Sequence, residues 1–270
     1  EDFPAYMIGN EENNARAVSS RRVLQGLQGV TFDDFARAVW DTRLSLADSL
    51  LPILFADREA LEKAAPGEGP SALAPGSPGL AAADAAIERL RSWDRRAAIE
   101  SVETTWWMLA VERWYLDGAS SRPFAHLEAL VGVLESLGRD WGRTEVAWGE
   151  LNRLQRPPSQ DPDDFSADLP SVPVAGAPSA AGSVFVFHTE PGSTGVRYGQ
   201  HGNSFMKVIE FGPVVRGRSL LVFGQSGDPD SPHFFDQAQL YSDREFKPAW
   251  FTREEVEANA VESYAPGEGP

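Results

Sequence analysis

The sequence predicts an α+β fold, and three observations carry the prediction. Apolar residues recur at helical spacing through most of residues 20–140. Short apolar runs bounded by glycine, rich in Val, Ile and Phe, occupy residues 183–223. Between them, residues 155–183 are crowded with Pro, Ser, Ala and Asp and show no period. Helices first and strands afterwards is the α+β order. The division that follows is a mainly helical part over 1–150 and a strand-rich part over 151–270.

Taken in order, Tyr6-Met7-Ile8 reads as a short extended run, and the turn formers Gly9 to Asn14 follow it. A helix is expected from about Ser20 to Leu27, ended by Gly29. Thr31 then suits an N-cap, with Asp33 and Asp34 loading the first turn of a helix with negative charge. Phe32, Phe35, Ala36, Val39, Trp40, Leu44, Ala47 and Leu51 keep that periodicity to near Phe55, and Glu59 to Lys63 read as a continuation of the same helix. Pro66 to Gly79 reads as a loop. Further helices are predicted over Ala81–Trp93, Ser101–Tyr115 and Pro123–Leu137, the last closed by Gly138. Strands are predicted over Ser183–His188, Phe205–Phe211 and Ser219–Phe223, and a terminal helix over Thr252–Val261.

Composition narrows the function classes. An apolar fraction of 42% with eight tryptophans in 270 residues supplies a core. The formal charge of -16, without a basic run, argues against a nucleic-acid partner and against anionic membranes. With no cysteine there is no disulfide, thiolate metal site or cysteine nucleophile. No stretch approaches the roughly 18 apolar residues of a membrane span. No signal-peptide pattern stands at Glu1-Asp2-Phe3-Pro4, and this abrupt opening reads as a cleavage product or a cut end.

The segment Gly224-Gln225-Ser226-Gly227-Asp228-Pro229-Asp230-Ser231-Pro232-His233-Phe234-Phe235-Asp236-Gln237 combines small, turn-forming and polar residues in an unusual order. Turn chemistry explains much of it. Ser226 lacks the Gly-x-Ser-x-Gly elbow, and His233 fits a packed, hydrogen-bonded histidine, so neither is nominated as catalytic. The segment resembles a signature near the C-terminus of the penicillin acylase family, the serine N-terminal-nucleophile amidohydrolases. Other stretches resemble that family in the same order. They are Phe32-Asp33-Asp34-Phe35 through Asp41-Thr42-Arg43 to Leu51-Pro52, Trp148 to Arg153, Leu169 to Gly176, Gly202 to Phe211, Arg218 to Phe223, and Phe246 to Thr252.

The resemblance implies the C-terminal part of a catalytic subunit and a share of the family's four-layer αββα sandwich. It implies hydrolysis of acyl-amide bonds by an N-terminal serine whose own α-amine acts as base. Glu1 is not serine, so the nucleophile is expected on another chain or segment of a processed heterodimer, which is thereby the expected partner beside a small acyl-amide substrate. Tyr6-Met7-Ile8-Gly9-Asn10 matches the family's strand before its oxyanion asparagine, which makes Asn10 the candidate, against the plainer reading of Asn10, Asn13 and Asn14 as turn residues. Arg22 is the candidate active-site arginine, preferred to Arg16 and Arg21, although Ser19 and Ser20 stand where the family's pattern leads one to expect arginine. The acyl group would lie in an apolar pocket to which helices between Phe32 and Tyr115 contribute.

No cofactor is expected for the chemistry. Structural calcium is compatible with the family, but no acidic residue here is assigned to it, and Asp161-Pro162-Asp163-Asp164 lacks EF-hand spacing. His126, His188, His201 and His233 form no zinc motif. Trp106-Trp107 reads as core. The family implies a periplasmic or secreted protein. Two alternatives stand beside the penicillin-acylase reading: an acyl-homoserine-lactone or lipopeptide acylase, and a non-catalytic binding module of the same fold.

Overall fold

The computed structural model describes residues 13–65, 68–118, 121–159, 161, 164–191, 195–265 and 267. The fold is α+β. Two compact units can be distinguished: one comprises residues 1–28 and 39–202, the other residues 29–38 and 203–270.

The first unit begins, within the described residues, with α1 (Ala15–Gly26). It starts five residues before the predicted Ser20, because the Asn14 side chain caps it by accepting from the Ala17 N–H at 2.9 Å. After α2 (Phe32–Ala38), which belongs to the second unit, the chain turns at Trp40 and residues 41–44 are extended. The single helix expected from Thr31 to Phe55 is therefore two. Burial alternates over these five residues: Trp40, Thr42 and Leu44 are buried while Asp41 and Arg43 are half-buried. That is a period of two. Backbone bonds confirm it, with Leu44 N–H donating to the Arg95 carbonyl at 2.8 Å, Ala97 N–H to Thr42 at 3.1 Å and Phe185 N–H to Asp41 at 2.9 Å.

The helix resumes as α3 (Ala47–Lys63) and is followed by α4 (Pro78–Ser92), α5 (Val102–Leu116) and α6 (Ala125–Trp141). In α4, Ser77 caps the Leu80 N–H and Pro78 occupies the first turn, so the helix starts inside the predicted loop. Helix α6 runs through Gly138 and closes at Gly142, which adopts the left-handed φ of 69° that favours glycine. Leu51, Leu90, Leu127, Leu130 and Trp107 are among the buried side chains that join these helices in one core.

Next come the short α7 (Trp148–Leu151), β1 (Asn152–Gln155), β2 (Ser171–Pro173), β3 (Phe187–Pro191) and β4 (Arg197–Gly202). They form a four-stranded sheet in the order β2-β1-β4-β3, with β1 and β4 parallel and the other pairs antiparallel. Strands β1, β2 and β4 lie outside the predicted runs. The predicted strand at Ser183 pairs only from Phe187 onward, apart from one bridge between Val186 and Ala177. The sheet carries buried polar side chains that are satisfied internally. Asn152 donates to the Val174 carbonyl at 2.7 Å and accepts from Thr189 Oγ1 at 3.1 Å. Gln155 donates to the Ser166 and Leu169 carbonyls at 2.7 and 3.1 Å. The Trp148 indole N–H reaches the Gly176 carbonyl at 2.8 Å.

The second unit holds β5 (Phe205–Glu210), β6 (Arg216–Leu221), α8 (Ala238–Asp243), β7 (Lys247–Pro248) and α9 (Arg253–Asn259). The strands form an antiparallel sheet in the order β5-β6-β7. Helix α2 packs here: Thr31 caps it reciprocally with Asp34, and the Arg216 and Arg218 guanidinium groups lie 4.9 and 5.0 Å from the Phe32 ring centroid. The Gly224–Gln237 segment is a knitted loop. Ser226 N–H donates to the His233 carbonyl at 3.1 Å, the Gln237 side-chain oxygen accepts from Leu221 N–H at 3.0 Å, and a Cβ on Gly224 would lie 2.1 Å from the His233 carbonyl oxygen. His233 Nδ1 pairs with Asp236 Oδ2 at 2.8 Å on the surface.

Gly182 ties the first unit together. Its φ is 94°, and a Cβ there would sit 2.1 Å from Ser45 Oγ and 2.8 Å from Ser45 N. Gly182→Ala is therefore expected to lower the stability of the protein by more than about 1 kcal/mol, measured as a shift in urea midpoint at constant slope. A midpoint within error of wild type would contradict the close approach.

Candidate active-site region

Helix α1 holds Arg22, the predicted site residue that falls within the described chain, so its anchoring decides the geometry. Ser45 Oγ donates to the Ala15 carbonyl at 2.7 Å, and Arg16 Nη2 to the Val184 carbonyl at 3.2 Å. Ser19 is fully buried. The start of α1 is thus bolted to the Ser45 turn and to the segment leading into β3. Asn10 lies outside the described residues, four positions before the Asn14 cap.

Arg22 lies two turns along α1, half-buried, and donates to Ser19 Oγ at 3.3 Å. It shares its surroundings with charges from two other segments. Asp48 accepts both branches of Arg43, each at 3.0 Å, and also pairs with Arg95, while Arg22 Nη1 stands 3.9 Å from the same carboxylate. Arg96 Nη1 binds Asp41 Oδ2 at 2.9 Å. Burial, and then the neighbouring Arg43, hold the Arg22 guanidinium below its usual value, while Asp41 and Asp48 act the other way. Arg95 has a left-handed φ of 62°, a conformation that costs a non-glycine residue about 1–2 kcal/mol. Of the two arginines passed over for this role, Arg16 makes the carbonyl bond above and Arg21 is exposed.

A cavity of about 360 Å³ opens at the Ser45–Leu46 turn. Leu46 lines it, and the Leu46 N–H donates to the Ala181 carbonyl at 3.2 Å. Met108, Leu109 and Val111 of α5 and the Trp148 ring complete an apolar wall. This volume lies within the range of small-molecule pockets. The polar margin carries Glu112 and Arg197, paired at 3.0 Å, together with His188 and Glu190.

His188 and His201 sit opposite each other on β3 and β4, with ring centroids 4.2 Å apart and planes 18° from parallel. Burial lowers the His188 pKa, the charge on His201 lowers it further, and Glu190 partly offsets both. The Ser179 N–H also points at His188 Nε2, at 3.4 Å. Sequence reading gave these histidines no role, since they stand far apart along the chain and only strand pairing makes them neighbours. The arginine–aspartate cluster was missed for the same reason. Among the described residues, no group of three or more His, Cys, Asp or Glu is arranged to hold a metal ion.

The chain matches the family model described as penicillin amidase over residues 1–258, and it belongs to that family. Among curated relatives, the aculeacin-A acylase of Actinoplanes utahensis is 36% identical over 91 residues, which are 33% of this chain and 12% of that protein. The acyl-homoserine lactone acylase PvdQ of Pseudomonas syringae pv. syringae is 31% identical over 91 residues, 33% of this chain and 11% of its own length. The same-named acylase of Pseudomonas fluorescens is 28% identical over 119 residues, 43% of this chain and 14% of that protein. The matched stretch thus spans less than a sixth of the length of each.

The lowered pKa of His188 is expected to make stability depend on pH. A pKa lowered in the folded state means that protons favour the unfolded chain, so the contribution of His188 is complete above about pH 6.5 and is lost as pH falls below it. Wild type is expected to lose denaturation midpoint between pH 7.5 and 5.5, and His188→Gln to lose less over the same interval. Equal losses in both proteins would remove His188 as the cause.

Proposed function

We propose that this chain is the C-terminal part of the catalytic subunit of an acylase that hydrolyses acyl-amide bonds. Family membership over residues 1–258 is the observation that carries the reading. In this proposal a serine at the N-terminus of another chain or segment attacks the amide carbonyl. Its α-amine takes the hydroxyl proton and returns it to the departing amine, leaving an acyl-enzyme that water then hydrolyses. Asn10 donates a hydrogen bond to the oxyanion, where negative charge builds up in the transition state. Arg22 is the active-site arginine, steadied by Ser19 and by the carboxylate of Asp48. The segment carrying the nucleophile is the proposed partner, and the compartment is periplasmic or secreted. Calcium would serve structure alone, and no carboxylate group among the described residues is arranged for it.

The names of the relatives, an aculeacin-A acylase and acyl-homoserine lactone acylases, favour an acyl-homoserine-lactone or lipopeptide acylase over a β-lactam acylase as the finer reading. The cavity beside Leu46 is the proposed acyl pocket within this chain. Its apolar wall and margin ion pair suit an acyl tail with a polar end.

Two substitutions test the reading in the assembled enzyme. Asn10→Ala is expected to lower kcat by about 10²–10³ with an unchanged melting profile. An unchanged kcat would remove Asn10 from the oxyanion site. Leu109→Trp narrows the cavity, and kcat/KM for the longest acyl group should fall about tenfold or more relative to the shortest. A parallel fall for both would place the acyl chain elsewhere.

A further inference from the structure

We propose that Arg22, Arg43, Arg95 and Arg96 form a binding site for a small oxyanion, a phosphate or a carboxylate. Four guanidinium groups share two carboxylates, Asp41 and Asp48, with a third, Asp94, on the Arg96 backbone N–H, so cations still outnumber anions here in a chain whose formal charge is -16.

The backbone gathers these groups deliberately. Arg43 and Arg96 face each other across an antiparallel bridge, so their side chains leave the same side of that ribbon. In an extended strand Arg95 would point to the opposite side. Its left-handed φ of 62° turns it instead onto Asp48. Asp48 thus gathers Arg95 beside a guanidinium that it already holds by both branches.

Donors remain unused. A guanidinium has five N–H groups. Among the described residues Arg22 donates one hydrogen bond, to Ser19, and its nearest carboxylate contact, at 3.9 Å, is too long to be another. Arg95 donates one, to Asp48. The Arg96 side chain donates one, to Asp41. Their side chains are 37%, 32% and 46% exposed, so a solute can reach them. Planar forks with free N–H pairs match the oxygen spacing of carboxylate and phosphate. The site shares Arg22 with the acylase reading, but it is tested by binding and not by turnover, so either can fail without the other.

Calorimetric titration of the full chain with inorganic phosphate, and separately with acetate, tests the site, with ionic strength held constant by sodium chloride. Saturable one-to-one binding in the millimolar range or tighter is expected for at least one of them. Tighter phosphate binding would point to a free phosphate ligand, and tighter acetate binding to the carboxylate of an organic ligand. Arg95→Gly removes a guanidinium at a backbone position that glycine tolerates best, so the fold should persist by circular dichroism while affinity falls about tenfold or more. Arg22→Gln should weaken binding as well, with α1 intact. The proposal is overturned if neither anion binds beyond the chloride control, or if both variants bind as wild type does.

Discussion

The close approach of Gly182 to Ser45 is the constraint on which the first unit depends. Two chain segments cross there with no room for a side chain on one of them. Ser45 uses its hydroxyl to hold the Ala15 carbonyl, and the next residue, Leu46, turns to the cavity while its N–H bonds to Ala181. One crossing therefore fixes both the start of α1 and one wall of the cavity. The short extended run before it, Asp41 to Leu44, is what delivers Ser45 to that point. Trp40 packs edge-on against Phe185 at 4.9 Å, and Asp41, Thr42 and Leu44 use their backbone groups on two other segments, one holding Arg95 and Ala97 and the other Phe185. A helix through these residues would spend those groups on itself.

The small four-stranded sheet is held by polar contacts as much as by apolar ones. Asn152 and Gln155 are fully buried, and each satisfies its amide with backbone carbonyls from the loop between β1 and β2 or the turn that follows it. Leaving such a group unpaired costs more than pairing it gains, so the network specifies one loop path. The Trp148 indole extends that specification to Gly176, whose φ of 85° suits glycine. Two of the segments that carry the family resemblance, Trp148 to Arg153 and Leu169 to Gly176, are thus partners in space through β1 and β2.

Legibility from sequence tracked how local the determining interaction is. The cap of α2 at Thr31, the helix over α5 and the capping box of α9 at Thr252 and Glu255 depend on residues three or four apart, and their signals are plain. The break between Ala38 and Ala47 was hidden because Trp40 and Leu44 satisfy a helical period and a strand period equally well, and bonds to Arg95, Ala97 and Phe185 decide between them. Strands β1 and β4 escaped detection because Asn152, Gln155, Arg197 and His201 are polar, and the sheet accepts them through specific hydrogen bonds or at its margin. At the candidate site, Arg22 could be proposed from its place before Val23 and Leu24, but its neighbours could not. Arg95 and Arg96 are distant in sequence from Arg43 and Asp48, and they meet them through the bridge between Arg43 and Arg96 and the bond from Leu44 N–H to the Arg95 carbonyl.

The distribution of charge in the chain follows from the same geometry. A formal charge of -16 spread over an exposed surface interacts weakly through water and salt. The arginines beside Asp48 are held close together and only partly exposed, where screening is weaker and repulsion between like charges persists. Such an arrangement holds if the carboxylates and the backbone over-determine it, and here Asp48 binds Arg43 through both oxygens while the Arg95 carbonyl is pinned by Leu44. The left-handed backbone of Arg95 is the expense that marks the arrangement as more than incidental. Strain of this kind persists where neighbouring structure imposes it, and the structure that imposes it here is the same Asp41–Leu44 run that delivers Ser45 to Gly182. The anchoring of α1 and the gathering of positive charge beside it are two outcomes of one extended segment.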